Sequence, residues 1–448
     1  MESNLKVIMA SYPINNSKLI KAWCMYDWAN SSFALTIGSA VFPAYWGATA
    51  IGADGSDTVS FFGYSITASV LYSYALSIAF LWMSVTVPLL TGVADASKRK
   101  LDFMRFFTYL GGFSCAGLFF FTQETTQYAI IFFVLAYISF GSSIVFYNSF
   151  LPDLVTDDKV DSVSARGFSM GYIGSVILLI LNLALILFGE GIGINAGLAS
   201  RISFVTVGIW WVGFAQISFK ALHKSDLPPM NWSKQTLLSG LNELKLVWEK
   251  VKTIETMKGF LPAYFFYNMG IQTIMLVAAL FGEKVIHLKT QELITVILII
   301  QLIAIIGARA TSFASSKLGN KLTLQLLIIV WIVICVLAWN TYNANQFYGL
   351  AVLVGFIMGG SQSLSRSTFA KLIPDNTPDT ASFFSFFDVT EKVSIVIGTA
   401  SYGLVEAVTG SMRNSILGLI AFFALGLILL VIMPNSKVLK PVLPLPSK

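Results

Sequence analysis

Charge is what this chain has least of. Of its 448 residues only 12% are Asp, Glu, Lys or Arg, about half the share in an ordinary soluble domain, and a surface facing water cannot be built from so few. Histidine is nearly absent. His223 and His287 are the only two, and they fall in segments expected on opposite faces of a membrane, which leaves a Ser-His triad or a histidine metal site nothing to build on. The three cysteines, Cys24, Cys115 and Cys335, each stand alone inside an apolar run. An odd number without motif spacing gives neither a disulfide framework nor a metal cluster and reads as small packing residues. No metal and no cofactor is expected, and no phosphate-binding P-loop is present. The excess of basic residues, 29 against 23 acidic ones, is scattered between apolar runs rather than gathered on one domain, so nucleic acid is not expected as a partner.

What the chain does have is apolar length. It is 56% hydrophobic and 14% aromatic, with a mean hydropathy of +0.74, and that much greasy surface calls for lipid as its solvent. The first run follows Lys18, Lys21 and Asp27 with no small-residue cleavage site behind a short apolar stretch, so the N-terminus is expected to be retained. At about 20 apolar residues per crossing, an all-α polytopic protein of twelve spans is expected: 28–46, 64–90, 103–121, 128–147, 167–188, 202–219, 260–281, 293–313, 322–339, 348–369, 383–408 and 416–433.

The loops carry the orientation. Arg201, Lys284, Lys289 and Arg413 alone fall on one side, Arg309 and Lys392 fall within helices, and all other lysines and arginines fall on the side of the termini. That asymmetry makes both termini cytoplasmic. The longest hydrophilic stretch, 220–258, opens near the breaker Pro228-Pro229 and splits the chain into six-helix halves at 1–219 and 259–448. Within it Leu237, Leu241, Leu244, Trp248 and Val251 recur at helical spacing with Lys245, Glu249 and Lys252 between them, the pattern of an amphipathic helix on the cytoplasmic interface. The halves echo each other: Phe150-Leu151-Pro152-Asp153 is matched by Leu372-Ile373-Pro374-Asp375, and Tyr26-Asp27 by Tyr267-Asn268. Such weak internal symmetry marks transporters built from repeats.

After the second span comes Gly92-Val93-Ala94-Asp95-Ala96-Ser97-Lys98-Arg99-Lys100. Gly92 admits a close neighbour, Asp95 suits a facing helix N-terminus, and the basic triplet can reach an acid such as Asp153. Here the chain resembles the major facilitator superfamily, whose signature between helices two and three is a glycine, an aspartate and paired basic residues. The resemblance implies two pseudo-symmetric six-helix bundles and a conformational latch of Gly92, Asp95, Arg99 and Asp153. The matching loop after helix eight has Ser315 and Ser316 where an acid is expected, so a second latch is expected to be degenerate. Four further stretches are similar to the UMF1 branch of that superfamily, related to the fungal vacuolar amino-acid effluxer of autophagy. They are Tyr26 to Ala34, Phe146 to Asp153, Gly360 to Ser367 and Phe387 to Lys392.

Ionisable residues inside a span are costly and need a partner or a wet cavity. Asp27, Arg309, Asp388, Glu391, Lys392 and Glu406 are the candidates. Asp388 and Lys392, four residues apart, suit an ion pair that is either structural or part of the coupling machinery. Asp27 reads as a helix-start acid near the interface or as a carboxylate that is protonatable or binds a substrate ammonium, with Asn30 one turn deeper. Asn268 with Gln272 and Gln362 with Arg366 repeat the four-residue spacing and form polar ladders. The resemblance places these ladders on cavity-lining helices, with Arg366 either meeting a substrate carboxylate or reaching toward the interface.

The function these residues suggest is a secondary transporter without enzymatic activity, since no nucleophile, base and orienting group converge. It would work as a monomer in membrane lipid and move a small polar metabolite by alternating access with protons as the coupling ion. The resemblance favours an amino acid. A bacterial cytoplasmic membrane is expected as host, or the vacuolar membrane if the chain is fungal. The alternative is a sensor or scaffold that transports nothing and recruits partners through its central helix.

Overall fold

A computed structural model describes residues 12–50, 58–222, 233–375, 377–436 and 439. His223, Pro228-Pro229 and the lysines at 6, 224, 437, 440 and 448 lie outside them. The N-terminal half holds α1 (Ser17–Ser32), a π-helical stretch (Phe33–Ala40), α2 (Val41–Thr49), strands β1 (Thr58–Phe61) and β2 (Tyr64–Thr67), α3 (Ala68–Ala96), α4 (Lys100–Gly117), α5 (Thr126–Ser149), the single turn α6 (Leu151–Leu154), α7 (Asp157–Phe188) and α8 (Ala196–Ala221). After α9 (Lys234–Thr253) come α10 (Glu255–Lys284), α11 (Thr290–Leu318), α12 (Asn320–Trp339), α13 (Ala344–Leu372), α14 (Thr380–Thr409) and α15 (Met412–Ile432).

Among the described residues ten helices are long and apolar enough to cross a membrane. The run from α1 through the π-helical stretch to α2, and the charge-bearing α14, bring the crossings to twelve, six on either side of α9. The ends of the described chain lie on one side, where Asp161 of α7 and Asn320 of α12 join at 2.9 Å. Asn15 N–H bonds the Leu154 carbonyl at 2.9 Å, and Lys321 Nζ reaches the Val431 and Met433 carbonyls at 3.1 and 2.6 Å. This face, rich in lysine, is called the basic side below.

Several helices begin earlier than their apolar runs. Asn16 caps α1 by accepting from the Lys18 and Leu19 amides, and α7 starts at Asp157 rather than 167. Hydropathy marks only the part in hydrocarbon, while the added turns bury polar groups such as Asp161 and Ser164 against protein. The second span begins at Ala68 and not at 64, because Tyr64–Thr67 pairs antiparallel with Thr58–Phe61. The turn of that hairpin, Phe62-Gly63, has both φ values positive, 50° and 86°, as a two-residue hairpin of right-handed twist requires.

The central helix is amphipathic as expected, and one edge of its apolar face is docked on protein. Val247 and Val251 are buried, and Gly240 meets Gly92 so closely that a Cβ on Gly92 would lie 2.2 Å from the Gly240 carbonyl oxygen. Lys250 pairs with Asp379, and Trp248 packs on Phe386 of α14 with ring centroids 5.2 Å apart. Helix α9 therefore straps α3 of the first half to α14 of the second.

Candidate functional site: two charge centres between the halves

The first centre closes the basic side. Asp95, at the end of α3, accepts from the Ser382 amide at 2.6 Å and the Ala381 amide at 3.4 Å, so its carboxylate caps the positive end of α14. Lys100 salt-bridges Asp153 and donates to Thr380 Oγ1 at 3.0 Å. The expected latch residues Gly92, Asp95 and Asp153 thus gather at this seam, but Arg99 salt-bridges Asp102 at 2.7 Å. Its neighbour Lys100 is the base that meets Asp153.

The loop with Ser315 and Ser316 does not go without an acid. Asp161 of α7 supplies one from the other half, accepting from Lys371 Nζ at 2.8 Å, Ser315 Oγ at 2.9 Å and Asn320 Nδ2 at 2.9 Å. Sequence reasoning missed Asp161 because its partners lie at least 154 residues away.

Beside these locks lies a buried ion pair. Asp27 Oδ2 accepts from Tyr147 Oη at 2.8 Å and from Arg366 Nη1 at 3.1 Å. The guanidinium also donates to Asn148 Oδ1 at 3.2 Å, Ser164 Oγ at 3.0 Å and the Ser164 carbonyl at 2.8 Å, and it lies 4.2 Å from the Phe168 ring centroid. Gly167 makes the room: a Cβ there would sit 2.4 Å from Asp27 Oδ2 and 3.0 Å from Arg366 Nη2. One acid faces one base, both buried, with α1, α5 and α7 on one side and α13 on the other.

The second centre lies deeper. Lys392 is twelve residues past the start of α14, about 18 Å along its axis, and so inside the span. Its Nζ is 2.9 Å from Asp388 Oδ1 and 3.4 Å from Glu391 Oε1. Tyr264 of α10 donates to Glu391 Oε2 at 3.0 Å. From the first half α5 backs the lysine, since a Cβ on Gly141 would lie 3.6 Å from Lys392 Cε. Asp388 Oδ2 is buried with no hydrogen-bond partner among the described residues, whereas 27% of the Glu391 side chain is accessible. The exposed apolar stripe of α14 runs through Val393, Ile397 and Leu404. Helical periodicity puts the three charges on the opposite side, so Glu391 opens toward the protein interior and not toward lipid.

The ladders separate. Gln362 accepts from Tyr172 Oη at 2.9 Å across the halves, and Asn268 donates to Ser394 Oγ at 2.7 Å beside the deeper centre. Gln272 is half-buried. Asn30 accepts from Ser31 Oγ at 3.4 Å while its Nδ2 is buried without a partner among the described residues. Among the described residues no cluster of histidine, cysteine and acids suits a metal ion.

Comparison with known proteins decides the family. A family model described as "Vacuole effluxer Atg22 like" matches residues 15–440. The chain belongs to the Atg22-like family. It is 28% identical over 424 residues to the uncharacterized MFS-type transporter YxiO of Bacillus subtilis, covering 94% of this chain and 96% of that one. It is 26% identical over 392 residues to autophagy-related protein 22 of Eremothecium gossypii, covering 79% and 74%. The crystal structure of the E. coli fucose:proton symporter FucP superposes with a TM-score of 0.68 over 95% of this chain and 100% of that chain at 14% identity, which establishes the major facilitator fold. This member of the Atg22-like family is therefore a transporter of the major facilitator type and an integral membrane protein. Its two centres differ in charge balance. Asp27 with Arg366 and Asp161 with Lys371 are matched one to one, but Asp388 and Glu391 share a single lysine.

Proposed function

We propose that this chain is a secondary active transporter that carries a small zwitterionic metabolite, an amino acid above all, by alternating access coupled to protons. The observation that carries this reading is the two-to-one ratio at the deeper centre. In a medium where a bare carboxylate is costly, Asp388 and Glu391 against Lys392 lack one positive charge. A proton supplies it, and a zwitterion, which brings one charge of each sign, leaves that need unchanged. An α-amino acid matches the site on both ends: its ammonium meets Glu391, which is accessible and steered by Tyr264, while its carboxylate meets Lys392. The proton sits on the buried Asp388 while the zwitterion engages Glu391 and Lys392.

The halves 1–219 and 259–448 rock about this centre, linked by 220–258. Asp95, Asp161 and the Asp27–Arg366 pair lock the basic side, which is cytoplasmic with both termini. Asp27 thereby acts as a gate residue, since Arg366 already supplies its counter-charge, and Arg366 is too fully engaged to bind cargo. The Bacillus relative spans nearly the whole of both chains, which supports a bacterial cytoplasmic membrane. A thermal-shift screen of amino acids on purified protein tests the assignment. Substrate is expected to stabilise wild type and Asp27→Asn but not Glu391→Gln, and equal stabilisation of Glu391→Gln would remove Glu391 from the site.

A further inference from the structure

The strap α9 has three sides, and only two are accounted for. One side, through Gly240, Val247 and Val251, is packed on protein. The side opposite is polar, with Gln235, Asn242 and Glu249 exposed, and suits water. Between them runs a flank on which Leu237, Leu238, Leu241 and Trp248 keep 44 to 48% of their surface uncovered, interleaved with exposed Lys234, Lys245 and Lys252. Lys252 is paired with Glu249 at 2.7 Å. Lys234 and Lys245 have no acidic partner among the described residues.

The depth of the helix says what meets this flank. Gly240 touches α3 at Gly92, one turn from its basic end, and Trp248 packs on Phe386, about two turns into α14. The helix thus lies alongside the ends of two spanning helices and not beyond them, at the level of the headgroups. At that level a tryptophan, leucines and unpaired lysines on one flank match the amphipathic interface of a membrane surface. We propose that this flank binds the anionic phospholipid surface of the basic-side leaflet, with the leucines and Trp248 among the upper acyl carbons and Lys234 and Lys245 on lipid phosphates. A soluble protein partner is disfavoured by the flank's position in the headgroup layer and becomes an outcome of the test.

The experiment uses the full chain with Cys24, Cys115 and Cys335 replaced by alanine and a polarity-sensitive fluorophore at Leu241→Cys or, as control, Asn242→Cys. Each protein is reconstituted in phosphatidylcholine vesicles with increasing phosphatidylglycerol. The Leu241 probe is expected to shift to an apolar environment as phosphatidylglycerol rises, and the Asn242 probe to stay in water. Lys234→Gln with Lys245→Gln is expected to weaken the response roughly fivefold per lysine, while Lys234→Arg with Lys245→Arg restores it, which separates charge from folding. A Leu241 probe that stays in water throughout, shifts equally in phosphatidylcholine alone, or responds unchanged in the glutamine variant would overturn the proposal, as would an Asn242 probe that shifts with it.

Discussion

Replacing Asp27 by asparagine removes one charge from the Asp27–Arg366 pair while keeping the shape of the site. The asparagine still accepts from Tyr147, and Arg366 keeps its bonds to Asn148 and Ser164 and its contact with Phe168. What is lost is the attraction between two buried groups whose side chains are 10% and 4% exposed, leaving a guanidinium without its counter-ion. Breaking a buried pair costs about 3–5 kcal/mol. With the neighbouring hydrogen bonds retained, the lower estimate of about 2–3 kcal/mol for a charge-assisted bond applies, and it falls on the state closed at the basic side. The fraction open on that side should then rise roughly 30- to 150-fold. Ser363, 2% exposed, gives its carbonyl to Ser164 across the seam at 2.8 Å, so Ser363→Cys in a chain without other cysteines reports opening. Its labelling by a maleimide applied from the basic side should accelerate by that factor in Asp27→Asn. The added change Arg366→Gln should slow it again, because no unpaired charge remains. An unchanged labelling rate in the single variant would refute the reading of this pair as a gate.

Three other perturbations follow from the same locks. Gly92→Val drives side-chain atoms into the Gly240 backbone and should cost about 1–3 kcal/mol of strap docking, read as faster tryptic cleavage at the lysines of α9. Asp161→Asn leaves Lys371 buried and unpaired and should lower stability to unfolding in detergent by about 3 kcal/mol, with part recovered by Asp161→Asn combined with Lys371→Met. Burial and the hydrogen bond to Asp379 raise Glu243 from 4.5 to about 6, with Lys250 opposing. Its contact is therefore fully stabilising below pH 4.5 and lost as pH rises through 6. Melting curves from pH 4.5 to 7.5 should show wild type falling behind Glu243→Gln over that window.

The long-range plan of this protein is written in features that need no partner to be recognised. Apolar runs, the one-sided lysines and the Gly92 to Lys100 motif each declare themselves locally, and Asp388 with Lys392 could be paired because four residues on a helix fix their separation. The gate was half legible. Asp27 and Arg366 stood out as charges in spans, but their union depends on Ser164, which is 202 residues from Arg366 and carries no mark of its own. Arg99 and Lys100 differ by one position, and only the turn at Lys98, with φ of 57°, decides which of them reaches Asp153. The central helix showed its amphipathic period, yet a stripe of leucine and valine suits lipid and protein equally, so the docking through Gly240 required the fold.

The claim on which the rest turns is that the unbalanced charge of Asp388, Glu391 and Lys392 binds cargo and proton. Uptake of radiolabelled amino acids into proteoliposomes under an imposed pH gradient measures it most directly. Wild type should accumulate its substrate only when the gradient is present. Asp388→Asn should exchange substrate across the membrane yet lose the response to the gradient, and Glu391→Gln should lose both. Gradient-driven accumulation by Asp388→Asn at the wild-type level would contradict the account.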